Sequence, residues 1–502
     1  MNTYDVVLVG GGTAGSVLAA RLSERDDLRV LLLEAGDGVP LPAMSDPPAW
    51  PTLVRTVANW GELIVPQGAV GAVTPLPRGK GLGGGSSINA MLFTRGHHTS
   101  YERWVQAGAK NWGYYDLLPY FKRSENAPGR DPVLRGRGGP LTVAPPDPVN
   151  PVLAAALGAA VEAGQRRAGD ISGGLEEGFA PVDVNIVDGR RQSAADAYLN
   201  PVRERPNLTV VTGALAHRLV IDNGRCTGVV YSAGSEVVTV SAGEVILTAG
   251  TIGSAQLMML SGLGPAAHLR EHGIEVVADL PGVGSGLQDH PIANVVYRSS
   301  RPVPTPRHNH GEVIGLVRSR ADLPGPDLQL IFVDLPRPVN GHAGPDQGYT
   351  IGVSLMMPHS RGTVRLAGAA PGSHPLLDPN YYGDPRDLDA VVAGIRLARR
   401  IGRGAALDDW RDTEVIPGPA TDDEDALRDY ARRAVASYCH PVGTLAMGDG
   451  PAAVVDTGLR VRGFAGLWVA DASVMPAIPS GNTNATVYAI AERAAELLLD
   501  GR

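Results

Sequence analysis

Cysteine is nearly missing from this chain: Cys226 and Cys439 are the only two in 502 residues. Two thiols can build neither a disulfide framework nor a four-thiolate metal site, so no metal centre is expected and a reducing cytoplasm is the default setting. No apolar run approaches the ~20 residues of a membrane-spanning helix. A first strand expected from Tyr4 or Asp5 leaves no room for a signal peptide ahead of it. Positive charge is in deficit, with a formal net charge of −8, which argues against a nucleic-acid partner. No repeat of solenoid period is present. Hydrophobic content of 43% and charged content of 19% are those of a globular protein, and the length suits two domains or one large two-lobed unit.

Glycine and proline, by contrast, are plentiful, at 64 and 41 residues. They are spread along the chain, which predicts many tight turns and no low-complexity tract. The densest information lies at the start. Val6–Val9 reads as a short buried strand, and Gly10, Gly12 and Gly15 follow with G-x-G-x-x-G spacing. A helical apolar stripe runs from Ser16 to Arg25, and Val30–Leu33 is a second strand closed by Glu34. Gly10 permits the tight turn, Gly12 lets the backbone approach a pyrophosphate, and Gly15 lets the helix pack on the strand. The helix N-terminus offers free N–H groups to phosphates. Glu34 is placed to accept from a ribose hydroxyl, favouring an adenosine without a 2′-phosphate. Within strand, turn, helix, strand and acid this is a dinucleotide site. The spacing leaves NAD and FAD both open.

Further along, residues 37–77 read as an irregular surface excursion, and Gly83–Ser87 forms a second glycine-rich loop. Residues 101–125 and 152–166 have helical period, and the proline-dense stretch 140–151 between them suits a crossing between lobes. Short strands are expected at Leu208–Val211, Leu219–Ile221, Gly228–Tyr231, Val237–Val240 and Glu244–Thr248, then a helix over Ser254–Ser261. Residues 296–366 read as strands with Pro and Gly turns. Residues 386–403 and 423–435 are helical by period. A strand over Gly466–Ala470 leads to Asp471, and a helix from about Thr486 to Leu499 closes the chain. Strand–helix alternation at both ends around a β-rich middle predicts a doubly wound nucleotide domain built from separated segments, with a second sheet inserted.

Three polar positions near the C-terminus draw attention. His440 sits among small residues in Ser437–Thr444, as where backbone must approach a ligand. Asn482 and Asn484 precede the last helix, where Asn also serves as an N-cap. Asp471 ends an apolar strand, where open α/β sheets bind ligands.

These segments together resemble the glucose–methanol–choline (GMC) family of FAD-dependent oxidoreductases over essentially the whole chain. The loop Gly79–Asn89 (GKGLGGGSSIN) is similar to the first family signature. Gly250–Gly264 (GTIGSAQLMMLSGLG) is similar to the second, with Ala255 where the family has proline. Pro281–Gly284 with Leu287–His290, His440–Thr444, and Asp471–Ser473 followed by Asn482–Asn484 complete the set in family order. The resemblance implies a mixed α/β fold. Its Rossmann-like FAD-binding domain would comprise residues 1–145, 185–295 and 435–502. An antiparallel-sheet substrate domain would comprise 146–184 and 296–434.

By the same resemblance, Gly10, Gly12, Thr13, Ala14 and Gly15 would hold the FAD pyrophosphate and Glu34 the ribose. Trp60 would lie beside the cofactor, and the Ala216 backbone would touch adenine. Gly84, Ser87, Asn89, Ala90, Met91 and Leu92 would line the flavin, with Tyr438 flanking it. Asp471, Ala472, Asn482 and Thr483 would complete the contacts. Ile88 stands where some members carry the histidine that bonds to flavin, so FAD is expected to be non-covalent. His440 matches the catalytic histidine, and Asn484 is assigned the second His/Asn position. An imidazole with an ordinary pKa near 6.5 can accept a hydroxyl proton near neutrality, while an amide orients the same oxygen. The implied activity is oxidation of a small, primary alcohol, with oxygen or another acceptor taking the electrons. Hydroxynitrile lyases of the same family, and a non-redox flavin-binding role, are the competing readings. No cluster of carboxylates argues for a quaternary amine as substrate.

Overall fold

The computed structural model describes residues 3–67, 73–338 and 342–501. The irregular excursion and the strand-rich stretch expected from sequence therefore lie partly outside the described residues, at 68–72 and 339–341. The chain opens with β1 (Thr3–Val9), α1 (Thr13–Leu22) and β2 (Val30–Leu33). Helices α2 (His98–Gln106), α3 (Tyr114–Ser124) and α4 (Pro151–Glu162) follow. Next come β3 (Gly178–Pro181), β4 (Leu208–Val211), β5 (Ala214–Asp222), β6 (Arg225–Ala233), β7 (Glu236–Leu247) and α5 (Gly250–Leu260). The middle continues through β8 (Pro291–Ser299), β9 (Val313–Val317), β10 (Leu328–Val333) and β11 (Gly348–Leu355). After α6 (Pro385–Gly402), β12 (Arg411–Ile416), α7 (Glu424–Ala434) and β13 (Ala436–Ser437), the chain ends with β14 (Leu467–Val469) and α8 (Asn484–Asp500).

The first sheet runs β4–β2–β1–β7–β6–β5, with β14 also on β7. β1 is central and parallel to both β2 and β7. Both its faces are covered, so Val6–Val9 is a continuous apolar run without alternation. Burial of such side chains contributes ~1.5–3 kcal/mol each. Two glycines of the fingerprint are dictated by packing. Gly10 has φ +111° and lies so close to the Thr248 carbonyl that a Cβ would stand 2.6 Å from its oxygen; a Cβ on Gly15 would stand 1.9 Å from the Gly10 oxygen. The sequence reading split Val237–Val240 from Glu244–Thr248, but β7 is one strand. Its first half pairs antiparallel with β6, and its second half pairs parallel with β1 and β14.

The second sheet runs β12–β8–β11–β10–β9–β3, antiparallel throughout, with β13 on β8. All eight residues of β11 and all six of β10 are buried. Helices α4, α6 and α7 share one core with this sheet. The domain boundary read at 295/296 falls inside β8, which pairs in the second sheet along its whole length. Among the described residues, no helix is long and apolar enough to cross a membrane.

Candidate active site

β1, β2 and β7 end side by side at Val9, Leu33 and Leu247, and a cleft opens beyond their carboxyl ends, as open parallel sheets dictate. Helices α1, α5 and α8 begin at this cleft, at Thr13, Gly250 and Asn484. The Thr13 hydroxyl donates to Asn484 Oδ1 at 2.9 Å, which ties two of these N-termini together. Three helix N-termini converging on one space present unpaired N–H groups to anionic oxygens. A Cβ added to Gly12 would meet only the Gly84 Cα, at 3.8 Å, so the Gly12 backbone faces open space. Conversely, a Cβ on Gly84 would lie 2.8 Å from the Gly12 Cα, so the two glycine loops touch. Glu34, Ala216, Cys439, Asp471 and Ala472 also line the cleft.

Two buried carboxylates hold this frame. Glu34 accepts from the backbone N–H of Gly11 (2.8 Å), Gly36 (2.8 Å) and Gly81 (2.9 Å), cross-linking both glycine loops to β2. Burial raises its pKa, and those three N–H groups work against the rise. Asp471 accepts from Gly250 N (2.8 Å), Ser254 Oγ (2.6 Å), Ser473 N (2.9 Å) and Ser473 Oγ (2.5 Å). Each carboxylate thus aims backbone at the cleft as well as lining it.

A second polar group lies where the two sheets meet. β13 pairs with the start of β8 through Ser437 and Pro291, Tyr438 N donates to the His290 carbonyl (2.9 Å), and Gln288 and Val442 exchange backbone bonds at 3.0 and 2.9 Å. That short ladder sets His290 beside His440, with their Nδ1 atoms 2.9 Å apart. His290 Nε2 lies 3.2 Å from the Met356 carbonyl. A carbonyl only accepts, so His290 carries its proton on Nε2 and presents a bare Nδ1. His440 must then donate from Nδ1, which leaves the lone pair on its Nε2. Asn482 Nδ2 stands 3.2 Å from that Nε2, and Asn482 Oδ1 accepts from Gln329 Nε2 at 3.3 Å. Every donor in this row points the same way.

Burial lowers the His440 pKa to about 3 and holds that of His290 well below the ordinary value, with the neighbouring imidazole adding to the latter. Both rings are therefore neutral at neutral pH. The His440 backbone N–H donates to Asp289 Oδ1 (2.8 Å), and Asp289 Oδ2 accepts from Ser437 Oγ (2.5 Å) and from Tyr381. The Tyr438 ring packs on His440 with centroids 4.6 Å apart. Cys439, between them, has φ +67° and an exposed thiol facing the cleft; the protein around it raises its pKa to about 12.

Two GMC oxidoreductase profiles match residues 4–292 and 358–491. The chain belongs to the GMC oxidoreductase family. Oxygen-dependent choline dehydrogenase from Brucella canis is 39% identical over 525 residues, covering 99% of this chain and 95% of that protein. The enzyme of the same name from Rhizobium etli is 39% identical over 526 residues, with the same coverage. Among solved structures, pyridoxine 4-oxidase from Mesorbium loti superposes with a TM-score of 0.95 at 35% identity, covering 98% of each chain. Formate oxidase from Aspergillus oryzae RIB40 superposes with a TM-score of 0.91 at 27% identity, covering 100% of this chain and 99% of that one. The protein is thus an FAD-dependent oxidoreductase acting on CH–OH groups.

Of the residues assigned from sequence in this GMC chain, Gly10, Gly12, Thr13, Ala14, Glu34, Trp60, Gly84, Ala216, Asp471, Ala472, Thr483 and Asn484 line the cleft. Gly15 is packed against Gly10 instead, and Ser87 faces a neighbouring cleft, its hydroxyl bonded to the Leu82 carbonyl. Asn89 Oδ1 closes the turn to Met91 N (3.0 Å) and receives Arg191 Nη1 (2.7 Å). Ala90 and Leu92 pack with Tyr438, Ile292 and Ile331 where the sheets meet. One assignment is corrected. Asn484 faces Thr13 at the helix N-termini, and Asn482 is the amide beside His440. Asn482, two residues before α8, still follows the loop, whereas Asn484 is the first residue of the helix and is turned toward α1. His290 and Gln329 escaped the sequence reading because 150 and 153 residues separate them from their partners, although Asp289-His290 stood inside a quoted motif.

Proposed function

We propose that this chain oxidises a primary alcohol to an aldehyde with His440 as the base and Asn482 as the amide that orients the hydroxyl. The observation that carries the proposal is the unprotonated His440 Nε2, on a ring held neutral by burial and within hydrogen-bond reach of the Asn482 amide. FAD, when bound, would supply the two-electron acceptor for the carbinol hydride, with oxygen or another compound as the final acceptor. The hydroxyl proton goes to His440 Nε2, so one hydride and one proton leave the alcohol and a C=O bond forms. Asn482 donates a hydrogen bond to the alcohol oxygen and aligns the C–H bond. Gly10, Gly12, Thr13 and Ala14, with the N-termini of α5 and α8, would hold the pyrophosphate, and Trp60 and Ala216 would flank its adenosine side. Ala90, Leu92 and Tyr438 would border the ring.

We further infer that FAD is non-covalent, because Ile88 has no nucleophile and packs with Leu53 and Ala58. Yellow colour remaining on acid-denatured polypeptide contradicts this. A reducing, cytoplasmic setting is favoured by two thiols that are both free. The test of the reaction is anaerobic mixing with a panel of alcohols. Bleaching of the flavin band is expected, and a panel that leaves it yellow while a cyanohydrin is cleaved would assign the lyase reaction instead.

A further inference from the structure

The sequence between β10 and β11 brings one more charged group to this site. Arg337 is pinned at its backbone on both sides: its N–H donates to Thr350 Oγ1 (2.9 Å), and its carbonyl accepts from Asn294 Nδ2 (3.0 Å). Its guanidinium stands over the Trp50 ring, 5.0 Å from the centroid. Trp50 in turn donates from Nε1 to the Asn309 carbonyl (2.8 Å), and the Asn309 amide donates to the Ala90 carbonyl, on the segment that borders the flavin. The residue is exposed, and the protein around it lowers the guanidinium pKa by desolvation. Its charge acts on the Tyr438 phenol and the Cys439 thiol, the two residues directly before His440.

Among the described residues this cation has no protein anion: no side-chain N–H of Arg337 makes a hydrogen bond or ion pair, while the nearby carboxylates are all engaged. Asp334 is held by His310 (2.6 Å) and Asn150 (2.8 Å), and Glu312 by His308 (3.1 Å) and the Asn150 N–H (2.6 Å). Asp289 accepts from Ser437, Tyr381 and the His440 backbone N–H. Arginine does not escape the cost of desolvation by losing its proton. A partly desolvated guanidinium without a protein anion, still open to solvent, can be satisfied by an anion brought from outside, which it binds through paired N–H donors.

We propose that Arg337 makes this enzyme selective for alcohols that carry an anionic group, a carboxylate or a phosphate, at the end remote from the carbinol. The inference rests on the reading that the carbinol binds at His440. In this arrangement the anion pairs with Arg337, the connecting carbon skeleton lies against Tyr438 and Trp50, and a cationic alcohol is repelled. The chain thereby departs from its relatives named for choline, whose substrate carries a positive charge.

The test uses the holoenzyme and four alcohols: 4-(hydroxymethyl)benzoate, 4-(hydroxymethyl)phenyl phosphate, benzyl alcohol and choline. In anaerobic flavin reduction, one of the two anionic compounds is expected to exceed benzyl alcohol in kcat/KM by ~10-fold or more, the scale of a charge-assisted hydrogen bond. The better anion identifies carboxylate or phosphate as the source. In Arg337→Met that ratio falls close to one, and in Arg337→Glu choline gains over both anions. A second readout is independent of turnover: benzoate and phenyl phosphate titrated into the resting enzyme perturb the flavin spectrum, and Arg337→Met abolishes the effect of the favoured anion. The proposal is overturned if neither anion is preferred, if the preference survives in Arg337→Met, or if that variant slows all four alcohols equally. Failure of every alcohol to bleach the flavin would instead sink the reading of the reaction, and the spectral titration would still decide on Arg337.

Discussion

His290 Nδ1 and His440 Nδ1 stand 2.9 Å apart, and the Met356 carbonyl on the far side of His290 decides which of them carries the proton. The free lone pair of His440 is therefore assigned by a backbone oxygen two groups away. His290→Ala removes the acceptor and leaves the His440 Nδ1–H unpaired in a buried site. Anaerobic flavin reduction should slow by ~10- to 100-fold, the equivalent of ~1–3 kcal/mol for an unsatisfied buried donor. His290→Asn, whose amide oxygen can accept, should recover part of the rate. Equal loss in both variants would mean that His290 acts by packing alone.

Asn482 and Asn484 separate two jobs that their sequence proximity blurs. Asn482→Ala should cut flavin reduction by ~10- to 100-fold with the FAD content intact, because one oriented hydrogen bond is lost. Asn484→Ala should release FAD more readily, since it frees Thr13 at the paired helix N-termini. His440→Ala should cost more than either, ~100- to 10,000-fold, the usual worth of a positioned base. Rapid reduction by the His440 variant would remove it from the mechanism.

The neutral imidazoles set the pH dependence. Burial lowers both histidine pKa values, that of His440 to about 3. Below pH ~6.5 the unfolded chain binds protons at these rings that the folded chain refuses, so stability is full above that pH and is lost as pH falls. Stability should fall between pH 6.5 and 5 by up to ~1.4 kcal/mol per pH unit for His290, seen as a lower thermal midpoint, and His290→Asn should flatten the fall. Flavin reduction should show no loss with a midpoint near 6.5; such a loss would place an ordinary histidine at the base position.

Glu34 offers two oxygens to three backbone donors, and glutamine cannot reproduce that. Glu34→Gln retains one acceptor and turns an amide N–H toward another N–H. FAD affinity should weaken by ~10-fold or more, with a lower thermal midpoint for the apoprotein. If only FAD affinity changes, Glu34 acts through the ribose and the cross-link between the loops is dispensable.

The sequence by itself determined what depends on neighbours in the chain. The spacing of Gly10, Gly12 and Gly15 and the run Val6–Val9 encode a strand, a tight turn and a helix packed on it, because backbone sterics and burial act over a few residues. The motif order carried the family and through it FAD, and it singled out His440 as the proposed base. Only the tertiary structure decided which groups meet at the reacting atoms. β13 closing on β8 sets His290 against His440, the bend into α8 turns Asn482 inward and Asn484 away, and the loop after β10 brings in Arg337. Those contacts join residues 40 to 150 positions apart or more. They are set by strand register and by the packing of two sheets, and neither is written in any single stretch of sequence.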